Sequence, residues 1–300
     1  MTLDALTKPR LYLVGAPKAG SSALGHFLAQ HPQISLCRIK EPNFHCRDLD
    51  MPGPKTEAEY LGLFDPTPET KFLMDGSILS LYSHTAAASI AQYVDNAKIL
   101  MILRNPVEAM YSWHGQMVFT ANEPIQNFAA ALDAEADRKQ GQRLPSAGVS
   151  SCCPQLLFYR DMMRYAEQLQ RYRDVFVPEQ IHVVLYDDFK ADPATVYRKI
   201  LDFLELEEFH PEFNPINPPK VRRNWRLHLW LKRLFAAPTR ALLSAEFRLR
   251  LINWLDRINS KPQGREALAP ELAARLKAQC RPDIIKLGAM LNRDLTHWYT

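Results

Sequence analysis

Residues 11–28 read LYLVGAPKAGSSALGHFL. Leu11 to Val14 is a short apolar run, and Leu24, Phe27 and Leu28 follow at helical spacing until His31-Pro32 closes the pattern. That spacing predicts strand, loop, helix. The loop, Gly15-Ala16-Pro17-Lys18-Ala19-Gly20-Ser21-Ser22, sets consecutive backbone N–H groups at the positive end of a helix dipole, an arrangement that binds phosphate-like dianions. The nucleotide-triphosphatase loop reads GxxxxGK[ST]. Both glycines keep that spacing here, but Ser21 stands in the lysine position and the lysine has moved into the loop, at Lys18. A triphosphatase reading is weakened by that exchange. A lysine inside the loop, with two hydroxyls opening the helix, suits a phosphate carrying a transferable group, because Lys18 can neutralise the oxygen that leaves. The same residues also suit a plain tight turn with a serine cap.

Three more apolar runs read as strands: Lys71 to Met74, Lys98 to Leu103 and Ile181 to Tyr186. They end at Asp75-Gly76-Ser77, Arg104-Asn105-Pro106 and Asp187-Asp188. Runs this continuously apolar belong to strands covered on both faces, as in a parallel sheet. Helical patterns lie between them, over 86–94, 107–119, 154–176 and 193–204. The alternation predicts an α/β fold, one domain over 1–300 with a central parallel sheet flanked by helices. Arg138 to Ser151 reads as a mobile surface loop, and His210 to Pro219, with its four prolines, as a linker or extended loop.

Hydrophobic residues at 47% and charged residues at 23% exclude wholesale disorder in the 300-residue chain. No stretch approaches the roughly 18 consecutive apolar residues of a membrane span. MTLDALTKPR has no apolar core of a secretory signal, and an odd five cysteines argue for a reducing compartment. A cytoplasmic protein is expected. The adjacent pair Cys152-Cys153 is not a CxxC, no cluster has zinc spacing, and no metal is expected.

The net charge of +4 is unevenly spread: Lys220 to Arg265 holds twelve Lys and Arg against Glu246 and Asp256 alone. Apolar and basic residues recur at helical spacing from Trp225 to Ile258. A basic helical segment at about 220–265, packed on or appended to the domain, suits an anionic ligand, a glycan or peripheral contact with a membrane surface. A solvated basic face accounts for it equally well.

The strand-PKAGSS-helix unit, then His31-Pro32-Gln33-Ile34, then Lys40-Glu41-Pro42-Asn43-Phe44, resembles the sulfotransferases that use 3′-phosphoadenosine-5′-phosphosulfate (PAPS). The bacterial and heparan-sulfate-modifying branch is the nearest in look. Arg104-Asn105-Pro106 with Tyr111-Ser112-Trp113 is similar to that family's 3′-phosphate motif, RxPxxRxxS, although Ala109 stands where a second arginine is common. The C-terminal CRPDIIKLGAMLNRDLTHW is similar to the family's last helix and strand end. The resemblance implies a P-loop-like sulfotransferase fold with PAPS as co-substrate and PAP as product. It implies that Lys18, Ala19, Gly20, Ser21 and Ser22 grip the 5′-phosphosulfate and that Arg104 and Ser112 hold the 3′-phosphate. Lys220 and Arg222 match a basic loop that closes over the nucleotide in relatives.

Glu41 matches the family's catalytic carboxylate and is the first candidate for the base that takes the acceptor's proton. His45, four residues on, is the second. Asp75 and Ser77 lie at a strand end, where ligands of open α/β sheets bind. Gly76 stands where several glycan-modifying relatives carry a lysine. The expected reaction moves a sulfo group to a hydroxyl, or less favourably an amine, of a glycan, lipid or small metabolite. Two other readings stay open. One is a P-loop kinase or NTPase, supported by the loop spacing and by Phe72-Leu73-Met74-Asp75, which resembles a magnesium-aspartate strand. The other is a non-catalytic binder of membrane surfaces or anionic polymers built on the basic segment. Nucleic acid is not an expected partner, and the oligomeric state is left open.

Overall fold

The computed structural model describes residues 8–145, 153–214, 220–222, 260–262 and 267–300. Five parallel strands form the main sheet: β1 (Leu11–Gly15), β2 (Ile34–Leu36), β3 (Phe72–Asp75), β4 (Lys98–Leu103) and β5 (Ile181–Leu185), in the order β2-β3-β1-β4-β5. All of β1 and all but the first residue of β4 are buried, so both faces of these strands are covered and their sequences need no alternation. The α/β class and parallel sheet expected from the sequence are those found.

Connections leave β1 toward β2 and leave β4 toward β5, in opposite directions along the sheet. The carboxyl ends of β1 and β4 therefore flank a topological switch point, where open α/β sheets hold their ligands. Helix α1 (Ser21–Leu28) follows β1 and buries Leu24, Phe27 and Leu28, as its spacing predicts. The remaining helices are α2 (Glu57–Leu61), α3 (Ala86–Tyr93), α4 (Pro106–Phe119), α5 (Phe128–Asp133), α6 (Glu135–Lys139), α7 (Tyr159–Met162), α8 (Tyr165–Arg173), α9 (Tyr186–Ala191), α10 (Pro193–Leu204) and α11 (Pro270–Leu291). No helix among the described residues is long and apolar enough to cross a membrane.

The chain divides into two compact units, one of Met1–Ala109, Met162–Ile216 and Ala274–Thr300, the other of Met110–Asp161 and Asn217–Ala273. The first holds the sheet. In the second, a two-stranded antiparallel pair, β6 (Lys220–Arg222) with β7 (Ser260–Pro262), brackets the basic segment. The helical pattern expected from Trp225 to Ile258 lies outside the described residues.

Three sequence expectations need correcting. Strand β2 was not anticipated; its three residues, one of them Ser35, are too few to stand out from a loop. The single helix expected over 154–176 is a 3-10 turn at Pro154–Leu157 followed by α7 and α8, because Phe158 (ψ 76°) and Arg164 (ψ 70°) leave the helical region. The expected surface loop from Arg138 begins inside α6, and Arg138 is fully buried, its guanidinium forked onto Glu123 at 2.7 and 2.8 Å. Ser146 to Cys152 lie outside the described residues.

Candidate functional site

Gly15 ends β1 because a side chain there has no room: a Cβ would come within 2.6 Å of Leu81 Cβ, and Leu81 donates its N–H to the Val14 carbonyl at 2.8 Å. Beyond it the loop turns with Lys18 at φ 63° and Gly20 at φ 96°, both left-handed, and Ala19 fully buried between them. Alternation of hand of this kind aims successive N–H groups to one side, the geometry of an anion cradle. Gly20 caps α1 without a side chain, and a Cβ there would meet the Tyr186 ring at 3.0 Å. Ala23 and Leu24 donate their N–H groups to the Gly20 carbonyl at 3.0 Å, and the Ser21 and Ser22 N–H groups stand ahead of them at the helix opening. Ser21 is buried, Ser22 is exposed and Lys18 is half-buried.

Arg104 leaves the carboxyl end of β4 on the far side of the switch point. Its Nη1 donates to the Lys18 carbonyl at 3.3 Å, and its guanidinium lies over the Tyr186 ring, 4.8 Å from the centroid. The two predicted phosphate-binding segments thus meet directly. Asn105 caps α4, accepting from Val107 N–H at 3.0 Å, and its amide donates to the Trp298 carbonyl at 3.1 Å. The Trp298 indole in turn donates to Asp187 at 2.7 Å, and Arg293 forks onto Asp188 at 2.8 and 3.0 Å. The C-terminal motif is therefore tied to the ends of β4 and β5.

A model of the sulfotransferase domain matches residues 8–216. The chain belongs to the sulfotransferase family. The chain is 26% identical over 243 residues to the bifunctional heparan sulfate N-deacetylase/N-sulfotransferase 1 of Caenorhabditis briggsae, an alignment covering 72% of the chain and 25% of the relative. It is 21% identical to the membrane-associated sulfotransferase kil1 of Dictyostelium discoideum over 71% of the chain and 59% of that protein. The chain thus spans about a quarter of the length of the bifunctional relatives. Among solved structures, a sulfotransferase from Alicyclobacillus acidocaldarius superposes with a TM-score of 0.73 at 25% identity, covering 98% of this chain and 100% of that one.

Glu41 stands in a left-handed backbone (φ 59°), with Asn43 likewise at φ 54°. A chain of hydrogen bonds fixes that turn. Asn43 Nδ2 donates to the Glu41 carbonyl at 2.7 Å, and Asn43 N–H donates to Ser77 Oγ at 2.8 Å. Ser77 N–H donates to Asp75 Oδ1 at 2.8 Å, and the Tyr60 hydroxyl donates to Asp75 Oδ2. Burial raises the Glu41 carboxyl above its ordinary range, with Asp75 adding to the rise, while Lys40, 3.5 Å away, and Lys18 pull it down. Burial likewise raises Asp75, whose described hydrogen bonds come from neutral donors.

His45 lies elsewhere in character. It is 2% exposed, bonded through Nδ1 to Ser89 Oγ at 2.9 Å, and ringed by Tyr12, Phe44, Tyr60 and Tyr93. Burial, with Arg47 adding to it, lowers its pKa to about 4. At neutral pH it is an uncharged ring packed among aromatics.

Lys18 to Ser22, Glu41 and Arg104 all belong to the first unit. Ser112, buried on α4, and Lys220 and Arg222, on β6, belong to the second. Sequence reading missed Asn43, Tyr60 and Tyr186. Tyr186 packs against Gly20 and under the Arg104 guanidinium, and a ring that meets two distant loops leaves no local pattern of its own. Among the described residues no group of three or more His, Cys, Asp or Glu could hold a metal ion.

Proposed function

We propose that the chain transfers the sulfo group of PAPS to an acceptor hydroxyl, with a glycan, lipid or small metabolite as acceptor and an amine less favoured. The observation that carries this reading is the direct meeting of the loop after β1 with Arg104 after β4, at the switch point of the sheet. A donor with phosphates at both its 5′ and 3′ positions needs two anion sites on one sheet edge, and these two segments supply them. Family membership favours this chemistry over a kinase or a purely binding role.

In the proposed step the acceptor oxygen attacks sulfur in line with the bond to the 5′-phosphate oxygen. The new S–O bond forms as the old one breaks, and the electron pair stays on the phosphate. Lys18 and the N–H groups of the loop stabilise that charge. Glu41 takes the acceptor's proton. The half-buried carboxylate is a better base than a solvated glutamate because burial raises its pKa. His45, neutral and enclosed, is assigned to packing rather than proton transfer. The family resemblance assigns Ser112 to the 3′-phosphate and Lys220 and Arg222 to the nucleotide. A cytoplasmic location with peripheral membrane contact through the basic segment is the compartment we favour.

Incubating the chain with radiolabelled PAPS and separate glycan, lipid and metabolite fractions tests the reading. Label transferred to one fraction, with PAP released in equal amount, supports it. Magnesium-dependent hydrolysis of ATP with no use of PAPS would replace it by the kinase reading.

A further inference from the structure

We infer that Glu108 sets the strength of 3′-phosphate binding, holding Arg104 in an ion pair that the nucleotide must exchange. The inference rests on the donor reading above. Arg104 Nε and Nη2 both donate to Glu108 Oε2, at 3.0 and 2.6 Å, while Nη1 donates to the Lys18 carbonyl. The guanidinium face is covered by Tyr186. Three of the five N–H donors of Arg104 are therefore engaged, and the Nε–Nη2 edge, the fork that grips a phosphate through two parallel bonds, is the one Glu108 occupies.

The four contacts differ in how easily they yield. The Lys18 carbonyl belongs to a backbone held in the left-handed region, and the Tyr186 ring is packed against Gly20. Glu108 is a side chain 57% exposed, against 23% for Arg104, and it alone of the three partners carries a negative charge. It is the contact that a dianion displaces, by repulsion and by swinging into water. A glutamate in the first turn of α4 also complements the helix dipole, and a purely structural role there would change stability without changing nucleotide preference.

The test is calorimetry on the full chain with PAP and with adenosine 5′-monophosphate, which lacks the 3′-phosphate. Glu108→Gln and Glu108→Ala should each tighten PAP about two- to fivefold, the range expected when a part-exposed competing ion pair is removed. Adenosine 5′-monophosphate should bind as before, so the preference for PAP widens. Unchanged or weaker PAP binding, or an equal shift for both nucleotides, would overturn the inference. A lower melting temperature with unchanged preference would also overturn it, and would give Glu108 to the helix dipole. A wild-type chain with no preference for PAP would sink the donor reading itself, which separates the two failures.

Discussion

Two carboxylate clusters in this chain are built on opposite plans. In the second unit Glu123 is fully enclosed, yet it meets the Arg138 fork, the Tyr159 hydroxyl at 2.7 Å and the Ile125 N–H at 2.8 Å. In the first unit the Asp75 and Glu41 carboxyls are both raised by burial, and Asp75 is held by Tyr60 and Ser77, which carry no charge. The former arrangement satisfies a charge and locks a fold. The latter holds Asp75 by neutral donors alone among its described hydrogen bonds and sets Glu41 3.5 Å from Lys40, and burial raises both carboxyls. Carboxylates are kept in that condition where chemistry needs them.

The largest expected effect tests the structural half of the comparison. Arg138→Ala strands Glu123 in the interior and should lower stability by about 3–5 kcal/mol, read from the denaturant midpoint. Glu123→Gln with Arg138→Met leaves no buried charge and should recover most of the loss. If the single variant unfolds at the wild-type midpoint, the fork is not the lock described here.

On the functional half, Lys18→Ala should reduce turnover by about 10²–10³, because the charge it meets develops only as the phosphate leaves. PAP affinity should fall much less. Equal losses in both would make Lys18 a ground-state contact.

A smaller effect separates His45 from the carboxylates. Its folded pKa of about 4 lies below the ordinary 6.5, so the unfolded chain binds the proton first as pH falls. Its contribution is present above pH 6.5 and is lost progressively toward pH 4. Between pH 7 and 5 the loss should be about 2 kcal/mol, and His45→Asn should flatten that part of the stability profile. Asp75 and Glu41, with raised values, act in the opposite sense, losing stability as pH rises through their folded pKa. A profile as steep in His45→Asn as in wild type would remove the histidine from the account.

Sequence alone reached β1, β3 and β4, because strands covered on both faces are written as apolar runs, and the edge strand β5, because its five residues are long enough to show the run despite His182. It missed β2, whose short edge position leaves Ser35 and Leu36 half-exposed and breaks the run. Lys18 and Arg104 could be singled out because each stands just after a strand, and Glu41 because its segment resembles the family's; the roles of all three are proposals. The links that hold Glu41 were not legible, since Asn43 reaches 34 residues on to Ser77 and Tyr60 reaches 15 residues on to Asp75. Arg138 was misplaced for a related reason. Composition marks a loop rich in Gly, Pro and Ser, but only the distant Glu123 reveals that its first arginine is interior.

The proposal that Glu41 is the base, and that its carboxyl rather than the His45 ring moves the proton, is tested most directly by one paired measurement. Glu41→Gln and His45→Asn are compared for turnover at saturating PAPS, with PAP affinity measured alongside. Glu41→Gln should lose about 10²–10⁴ in turnover while still binding PAP, and His45→Asn should keep most of its activity. An active Glu41→Gln beside a dead His45→Asn that still folds and binds PAP would contradict the assignment.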